Sequence, residues 1–521
     1  MNDAITRKKT FNTAGLCFPE DHYMVNPLKR MQEVEQLIEE KLYFTLHAPR
    51  QTGKTTYLHA LARKLNAEGK SIALVVSFEQ AGYKGITQEY ANELLIFNIY
   101  QKAGEQLPKE HWPENPQSQK QKFINLNHYL KNWSDNQEKP IVLFIDEIDA
   151  LLDEILISVL RQLRDGYQGR PKHFPSSVAL VGLRDIREYK AKIRDGYESL
   201  GTASPFNVKS ESLLLKNFTR QEVFELLEQH TQATGQVISD GVKEEIFCLS
   251  NGQPWLTNAL ARQVVSKILG DDYSKIITLD IVKEAKEQLI SRRDTHLDSL
   301  VDKLKEERVK KIVQAIINGD NLPVDIFDDD ILYIRDLGIV SQSSPLEFAN
   351  PVYAEIISRI IASPIQESIP KEIQTPWFVT PDGLLDMEKL LKEFQEFYRR
   401  HSESWLKRYE YKESAQHLIL MAFLQRVVNS GGEILREMAV GNGRIDLLVK
   451  FKKQEFALEL KILRDKYTIE DGKKQLGRYL DRLGLNEGFL VIFDPGPAEW
   501  EEKLYYQKMA VGDKTIIMVG L

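Results

Sequence analysis

The sequence predicts an α/β protein made of two successive blocks. The first is a parallel sheet around a phosphate-binding loop, continued by a helical lid and a winged helix. The second is a smaller mixed α/β domain. Three observations predict this. A strand, loop, helix and strand succeed one another over residues 42–78, around Gly53-Lys54-Thr55. A five-residue apolar strand, Ile141 to Ile145, ends in Asp146-Glu147. Two arms of alternating apolar residues follow each other between 445 and 460, the period of half-buried strands.

The first block is read from its loop. Leu42 to Leu46 form an apolar strand, and HAPRQTGKTT follows. Behind it Leu58, Leu61 and Leu65 recur at helical spacing, Gly69 stands where a helix stops, and SIALVVSF is a buried strand. In that setting backbone N–H groups and a helix N-terminus hold phosphate. The candidate nucleotide contacts are Ala48, Pro49, Arg50, Gln51, Thr52, Gly53, Lys54, Thr55 and Thr56. Lys54 reaches the β- and γ-phosphates, and the Thr55 hydroxyl ligates Mg²⁺. Ala48 stands where the pattern wants glycine, which weakens the match but removes no ligand. Gly53 has less freedom, because a Cβ there would crowd the phosphates.

At the end of the second strand, Asp146 is the candidate to hold Mg²⁺ through water and Glu147 to orient or deprotonate the attacking water. The strand in SVALVGLRD leads to Arg184, a candidate phosphate sensor. Arg161, Arg164 and Arg170 are either further sources of positive charge or solvated side chains.

These residues resemble the STAND branch of the AAA+-related P-loop ATPases, over roughly residues 20 to 365. The resemblance adds NGQPWLTNAL, Asn251 to Leu260, at the start of a lid helix. By that match Pro254 contacts nucleotide; a proline in a first helical turn needs no such role. The resemblance implies a nucleotide switch rather than a continuous motor, with ATP and Mg²⁺ as cofactors. The N-terminal segment, residues 1–30, contains FNTAGLCFPEDHYMV, which either covers the base or packs on the sheet. The ATPase core spans 31–210 and the lid 211–295. The lid opens with Thr219 and Glu222 at capping-box spacing. A helix and a short hairpin, GIVSQ then LEFAN, read as a winged helix over 296–365. Its DDDILYIRDLG helix is acidic, with Arg335 its single basic residue, which favours an interdomain role over DNA binding. Pro364, Pro370, Pro376 and Pro381 mark a linker, placed at 366–384.

The last block, 385–521, carries a second constellation. Phe394, Tyr398, His401 and Trp405 fall at helical spacing, a buried face rather than a base-stacking platform. Ile445, Leu447 and Val449 alternate, Lys452-Lys453 make the turn, and Phe456, Leu458 and Leu460 alternate again. Asp446 lies on one arm, with Glu459 and Lys461 on the same face of the other. Glu-x-Lys recurs at Glu39, Glu284 and Glu501, but only the pair at Glu459 has a strand and a partner aspartate. Two carboxylates and a lysine suit a divalent-metal site that activates water. The pattern resembles the PD-(D/E)XK nuclease superfamily, a restriction-endonuclease-like fold, over roughly 385 to 495. The resemblance brings in Gln475 and Tyr479 one helical turn apart, and Glu413, or less well Gln416, as the first acidic position. It implies metal-dependent cleavage of DNA or RNA with Mg²⁺ or Mn²⁺, or a retained fold that only binds.

Composition agrees with an ordinary folded chain. It is 42% hydrophobic and 28% charged, with two cysteines and a formal net charge of −7. That charge confines nucleic-acid contact to a local patch. The cysteine count and the lack of an apolar leader or span point to the cytosol and away from membranes. The resulting expectation is an ATP-controlled nuclease, in defence or repair by analogy, with a nucleotide-dependent homo-oligomer or a protein trigger. The rival is a signalling or scaffold ATPase whose last domain binds nucleic acid or a partner.

Overall fold

The protein is seen in a computed structural model. It describes residues 8–118, 123–151, 153–184, 209–292, 300, 302–317, 328–344, 346–368, 378–406, 416, 419–421, 423–424, 432–440, 443–463, 467–496 and 499–521. The chain divides into two units by its contacts: residues 1–298, 324–344 and 349–351, and residues 299–323, 345–348 and 352–521.

In the first unit the short apolar runs become strands buried on both faces, β1 (Tyr43–His47), β2 (Ile72–Ser77), β3 (Ile141–Asp146) and β4 (Ser177–Gly182), and a more polar, partly exposed strand β5 (Lys209–Leu214) joins them. Continuous burial of this kind requires helices on both sides of a parallel sheet. The sheet is indeed parallel, in the order β2-β3-β4-β1-β5, an arrangement typical of P-loop ATPases. On one face Leu143 and Ile145 pack with α3 (Gln88–Gln106), α4 (Leu126–Asp135) and α5 (Asp153–Gly166), through Leu95, Ile99, Trp133 and Leu160. On the other, Val142 and Phe144 meet α1 (Glu33–Glu39) and α2 (Lys54–Glu68), through Val34, Leu58 and Leu61. Truncating one such leucine to alanine costs about 2–5 kcal/mol. The carboxyl ends of β1, β3 and β4 meet at one edge, which is where an open α/β sheet places its site.

The lid follows as α6 (Arg220–Thr234), α7 (Asp240–Ser250), α8 (Pro254–Arg262) and α9 (Leu279–Arg292). The capping box forms: Glu222 N donates to Thr219 Oγ1 at 3.2 Å, and Thr219 N to Glu222 Oε2 at 2.7 Å.

The winged-helix expectation meets two differences. The segment contains α10 (Glu307–Ile317), α11 (Asp329–Asp336) and α12 (Pro351–Ser368), and the hairpin of GIVSQ and LEFAN is cut to single bridge residues rather than full strands, with Ala349 N donating to Ile339 O at 2.9 Å. Its pieces also divide between the two units. Arg335 donates inward to the carbonyls of Ser341 and Ser343 at 3.3 and 3.2 Å, so the loop folds back on its own helix. The expected linker begins later than its prolines suggest. α12 runs through Pro364 to Ser368, because an apolar face with Val352, Tyr353, Ile356 and Ile357 buried outweighs one missing N–H bond.

The second unit holds α13 (Met387–Leu406), β6 (Gly432–Val440), β7 (Gly443–Phe451), β8 (Gln454–Ile462), α14 (Thr468–Leu483), β9 (Glu487–Phe493), β10 (Tyr506–Val511) and β11 (Lys514–Gly520). The sheet runs β10-β11-β9-β8-β7-β6 and is mixed: β8–β9 and β9–β11 are parallel, the other pairs antiparallel. Leu476, Tyr479 and Leu480 of α14 bury against Leu448, Ala457, Leu490 and Ile516. The approach is close enough that a Cβ on Gly488 would lie 2.9 Å from Leu480 Cδ2. Phe394 and Tyr398 of α13 are buried, as the helical spacing predicts, and Phe397 is buried beside them; the side chains of His401 and Trp405 lie outside those described.

Candidate functional site

The loop between β1 and α2 shows why Ala48 is tolerated. Its left-handed residues are Gln51 (φ 59°) and Gly53 (φ 91°). Ala48 is fully buried, outside that region, and donates its N–H to Gly182 O at 3.3 Å. Glycine at position 48 therefore has no backbone task, whereas at 53 the left-handed turn calls for it. Thr52 is buried, with its hydroxyl on Pro49 O at 2.8 Å, and Arg50 is exposed. Lys54 folds back over the loop, its Nζ donating to the carbonyls of Ala48 and Pro49 at 2.7 and 2.9 Å. Burial pulls its pKa down to about 8, against the opposing pull of Asp146, Asp149 and Glu147.

Across the loop, Thr55 Oγ1 donates to Asp146 Oδ2 at 2.6 Å, and Glu147 N donates to Asp146 Oδ1 at 3.0 Å. Burial holds the Asp146 carboxyl above its ordinary range, with Thr55 and Lys54 opposing. A hydroxyl and a carboxylate facing each other are the oxygen donors Mg²⁺ prefers, so the residues fit that ion. Glu147 is exposed, left-handed at φ 55°, and accepts from Ser77 Oγ at 2.5 Å. Its charge beside Glu79 holds the Glu79 carboxyl high. Ser77 and Glu79 had no signal in the sequence, since only strand pairing brings β2 beside β3.

Arg184 stacks its guanidinium 4.8 Å over the Tyr333 ring. The adjoining segment also reaches the loop: His47 Nδ1 lies 3.4 Å from Asp336 Oδ1, and a Cβ on Gly338 would stand 2.6 Å from Pro49. Arg170 is engaged in the fold, donating to Lys41 O at 2.9 Å. Pro254 is the first residue of α8, capped by Gln253, and buried.

The N-terminal segment lies between core and lid. Cys17 N donates to Thr56 Oγ1 at 3.4 Å, Trp255 Nε1 to Thr13 O at 3.1 Å, and Met24 N to Gln229 Oε1 at 3.0 Å. A pocket opens here, lined by Leu16, Cys17, Met24, Thr56, His59 and Arg63 among others. His59 and Arg63 were missed because they sit on the outer face of α2, one and two turns past the loop.

In the second unit the β7–β8 register pairs Leu447 with Leu458, so one step further sets Asp446 opposite Glu459 on the same face. Asp446 Oδ2 accepts from Leu460 N at 2.7 Å. Glu459 is 0% exposed, and neither of its carboxylate oxygens accepts a well-directed hydrogen bond. Lys461 Nζ lies 2.8 Å from Glu459 Oε1 as an ion contact. Burial and then the Asp446 charge raise the Glu459 pKa, with Lys461 opposing. For Lys461 burial works downward, but the two carboxylates outweigh it and its pKa is raised. Gln475 Nε2 donates to Tyr479 Oη at 3.0 Å. Two facing carboxylates are oxygen donors that a divalent metal could use beside Lys461. Among the described residues no group of three or more His, Cys, Asp or Glu gathers there, and Glu413 lies outside the described residues.

The model of the AAA-like domain family matches residues 20–348. No curated protein matches the chain. Among solved structures, the Walker-type ATPase of Pyrococcus abyssi is similar at 15% identity and a TM-score of 0.48, over 67% of this chain and 99% of that one. The Thermotoga maritima RuvB Holliday junction branch migration motor follows at 18% and 0.34, over 64% and 95%. Cdc6p of Pyrobaculum aerophilum gives 14% and 0.34, over 67% and 97%.

Proposed function

We propose that this chain, which belongs to the AAA-like domain family and is a P-loop ATPase, uses ATP to control metal-dependent cleavage of nucleic acid by its second unit. In the first unit Lys54 and the loop N–H groups hold the phosphates, while Thr55 and Asp146 hold Mg²⁺. Glu147 orients the attacking water, and Arg184 responds to the γ-phosphate after leaving Tyr333. The N-terminal pocket beside Thr56 takes the base. In the second unit Asp446 and Glu459 hold Mg²⁺ or Mn²⁺, which when bound supplies an activated water and stabilises phosphoryl charge. Lys461 neutralises charge on the scissile phosphate, and Gln475 and Tyr479 steady the lysine side of the site. DNA, or RNA, is the substrate class.

The observation that carries the cleavage reading is Glu459: a fully buried carboxylate with no directed hydrogen bond, opposite a second carboxylate and beside a lysine. Burying such a group costs several kcal/mol unless a cation compensates it. The test is cleavage of plasmid, single-stranded DNA and RNA by wild type and Asp446→Ala, with Mg²⁺ or Mn²⁺, with and without ATP. Cleavage in the wild type is expected to fall at least ~100-fold in the variant while ATP hydrolysis persists. Equal cleavage by both removes the assignment. Absence of cleavage in both moves the second unit to a binding module.

A further inference from the structure

Arg30 lies just before α1, and its guanidinium joins two main-chain carbonyls far apart in sequence. Nη1 donates to Thr52 O at 3.1 Å, and Nη2 donates to Lys216 O, just past the end of β5. The same guanidinium stacks 4.8 Å over the Phe218 ring. Phe218 in turn donates its N–H to Gly252 O at 2.8 Å, two residues before Pro254. Burial lowers the Arg30 pKa to about 10, and the charge that opposes this belongs to Glu222 of α6.

The peptide Thr52–Gly53 is trans, since the chain's one cis bond among the described residues is at Pro171. In a trans peptide the C=O and the following N–H point in opposite directions. A cation gripping the Thr52 carbonyl therefore fixes the Gly53 N–H on the opposite side of the loop. Gly53 is also the left-handed N-cap of α2, where a peptide can rotate at little steric cost. Without a partner on its carbonyl, that peptide would be free to turn its N–H away from a phosphate. Arginine suits the task because its planar fork serves two acceptors at once.

We infer that Arg30 is a positioning residue for the phosphate loop: it locks the Thr52–Gly53 peptide with its N–H toward the phosphates, and through Lys216 and Phe218 it fixes that peptide relative to the entry of the lid. The inference rests on the ATPase site described above. Arg30 touches no reacting atom, so its loss acts on nucleotide binding more than on the chemical step.

The experiment uses the full chain and ATP. Arg30→Met is expected to raise the ATP Kd and KM about ten- to hundredfold, as for loss of a hydrogen bond from a charged donor, with kcat changed less than about threefold. Arg30→Lys keeps one charged donor and is expected to recover part of that affinity. The nucleotide-free melting temperature is measured for each. Unchanged KM in Arg30→Met overturns the inference. So does a KM rise that lysine does not relieve and that matches an equal loss of nucleotide-free stability in both variants. Lys54→Ala serves as reference. If it too binds ATP normally, the ATPase site itself is misplaced; if it alone loses binding, only the role of Arg30 falls.

Discussion

The two acidic sites treat their carboxylates in opposite ways. Asp146 is buried but satisfied: Thr55 and the Glu147 N–H each donate to one of its oxygens, and Lys54 adds charge. Glu459 is buried and lacks any directed hydrogen bond, with an ion contact to Lys461 as its compensation. A carboxylate with internal donors can wait for its ion at little cost. One that relies on a single ion contact gains more from a further cation. The first site is thus satisfied by its own donors, and on the proposed reading the second would gain stability from a bound cation.

The strongest way to break that contrast is in the first unit. Lys54→Ala is expected to weaken ATP binding more than ~100-fold, since Lys54 is the cation meant for the β- and γ-phosphates and lies on the loop's own carbonyls. Glu147→Gln is expected to bind ATP like the wild type and to lose turnover at least ~100-fold. Binding and turnover measured on the same preparations check both. Normal turnover in Glu147→Gln would remove it from the water.

A second, smaller effect is set by pH. The Lys54 pKa is lowered to about 8, and bound phosphates favour its charged form, so binding ATP takes up a proton above that pH. ATP affinity should be flat from pH 6 to 7.5 and then fall, by at most about tenfold per unit. Titration calorimetry in two buffers of different ionisation enthalpy reads the proton directly, and zero uptake at pH 8.5 would contradict the lysine's part.

The smallest effect sharpens the other half. A buried acid with a raised pKa binds more protons folded than unfolded, so stability falls as pH rises above the ordinary carboxylate range. In chelator, the second unit should lose stability between pH 5 and 8, and Mn²⁺ should restore it. Glu459→Gln should flatten the dependence by about 1–2 kcal/mol and lose the metal response. Denaturant melts across that range decide it.

How far each site was legible follows from what its partners are made of. Thr55, Asp146 and Glu459 meet side chains or sit on patterned strands, and side-chain identity is what a sequence displays. Gln475 and Tyr479 entered through the nuclease resemblance alone, and one helical turn sets them in contact, 3.0 Å from Nε2 to Oη. Arg30 was not legible, because its partners are the carbonyls of Thr52 and Lys216, and any residue supplies a carbonyl. The strand order was equally silent, so Ser77 and Glu79 beside Glu147 could not be foreseen. The expected hairpin near LEFAN is shortened to a single rung, Ala349 N to Ile339 O at 2.9 Å, and its turn is held by Arg335 on the carbonyls of Ser341 and Ser343.

The division of the chain has a consequence for how such a protein can be recombined. Neither unit is continuous: residues 299–323 and 345–348 belong with the C-terminal unit, while 324–344 and 349–351 belong with the first. A single genetic crossover at residue 352 would carry 352–521 to a new host but leave two of its own pieces behind. Exchange of the second unit therefore needs the segment from 299 onward to travel as one block, taking α11, with its hold on His47 and Arg184, along with it. Inheritance of the second unit and of the ATPase's own contact helix is, in this chain, a single event.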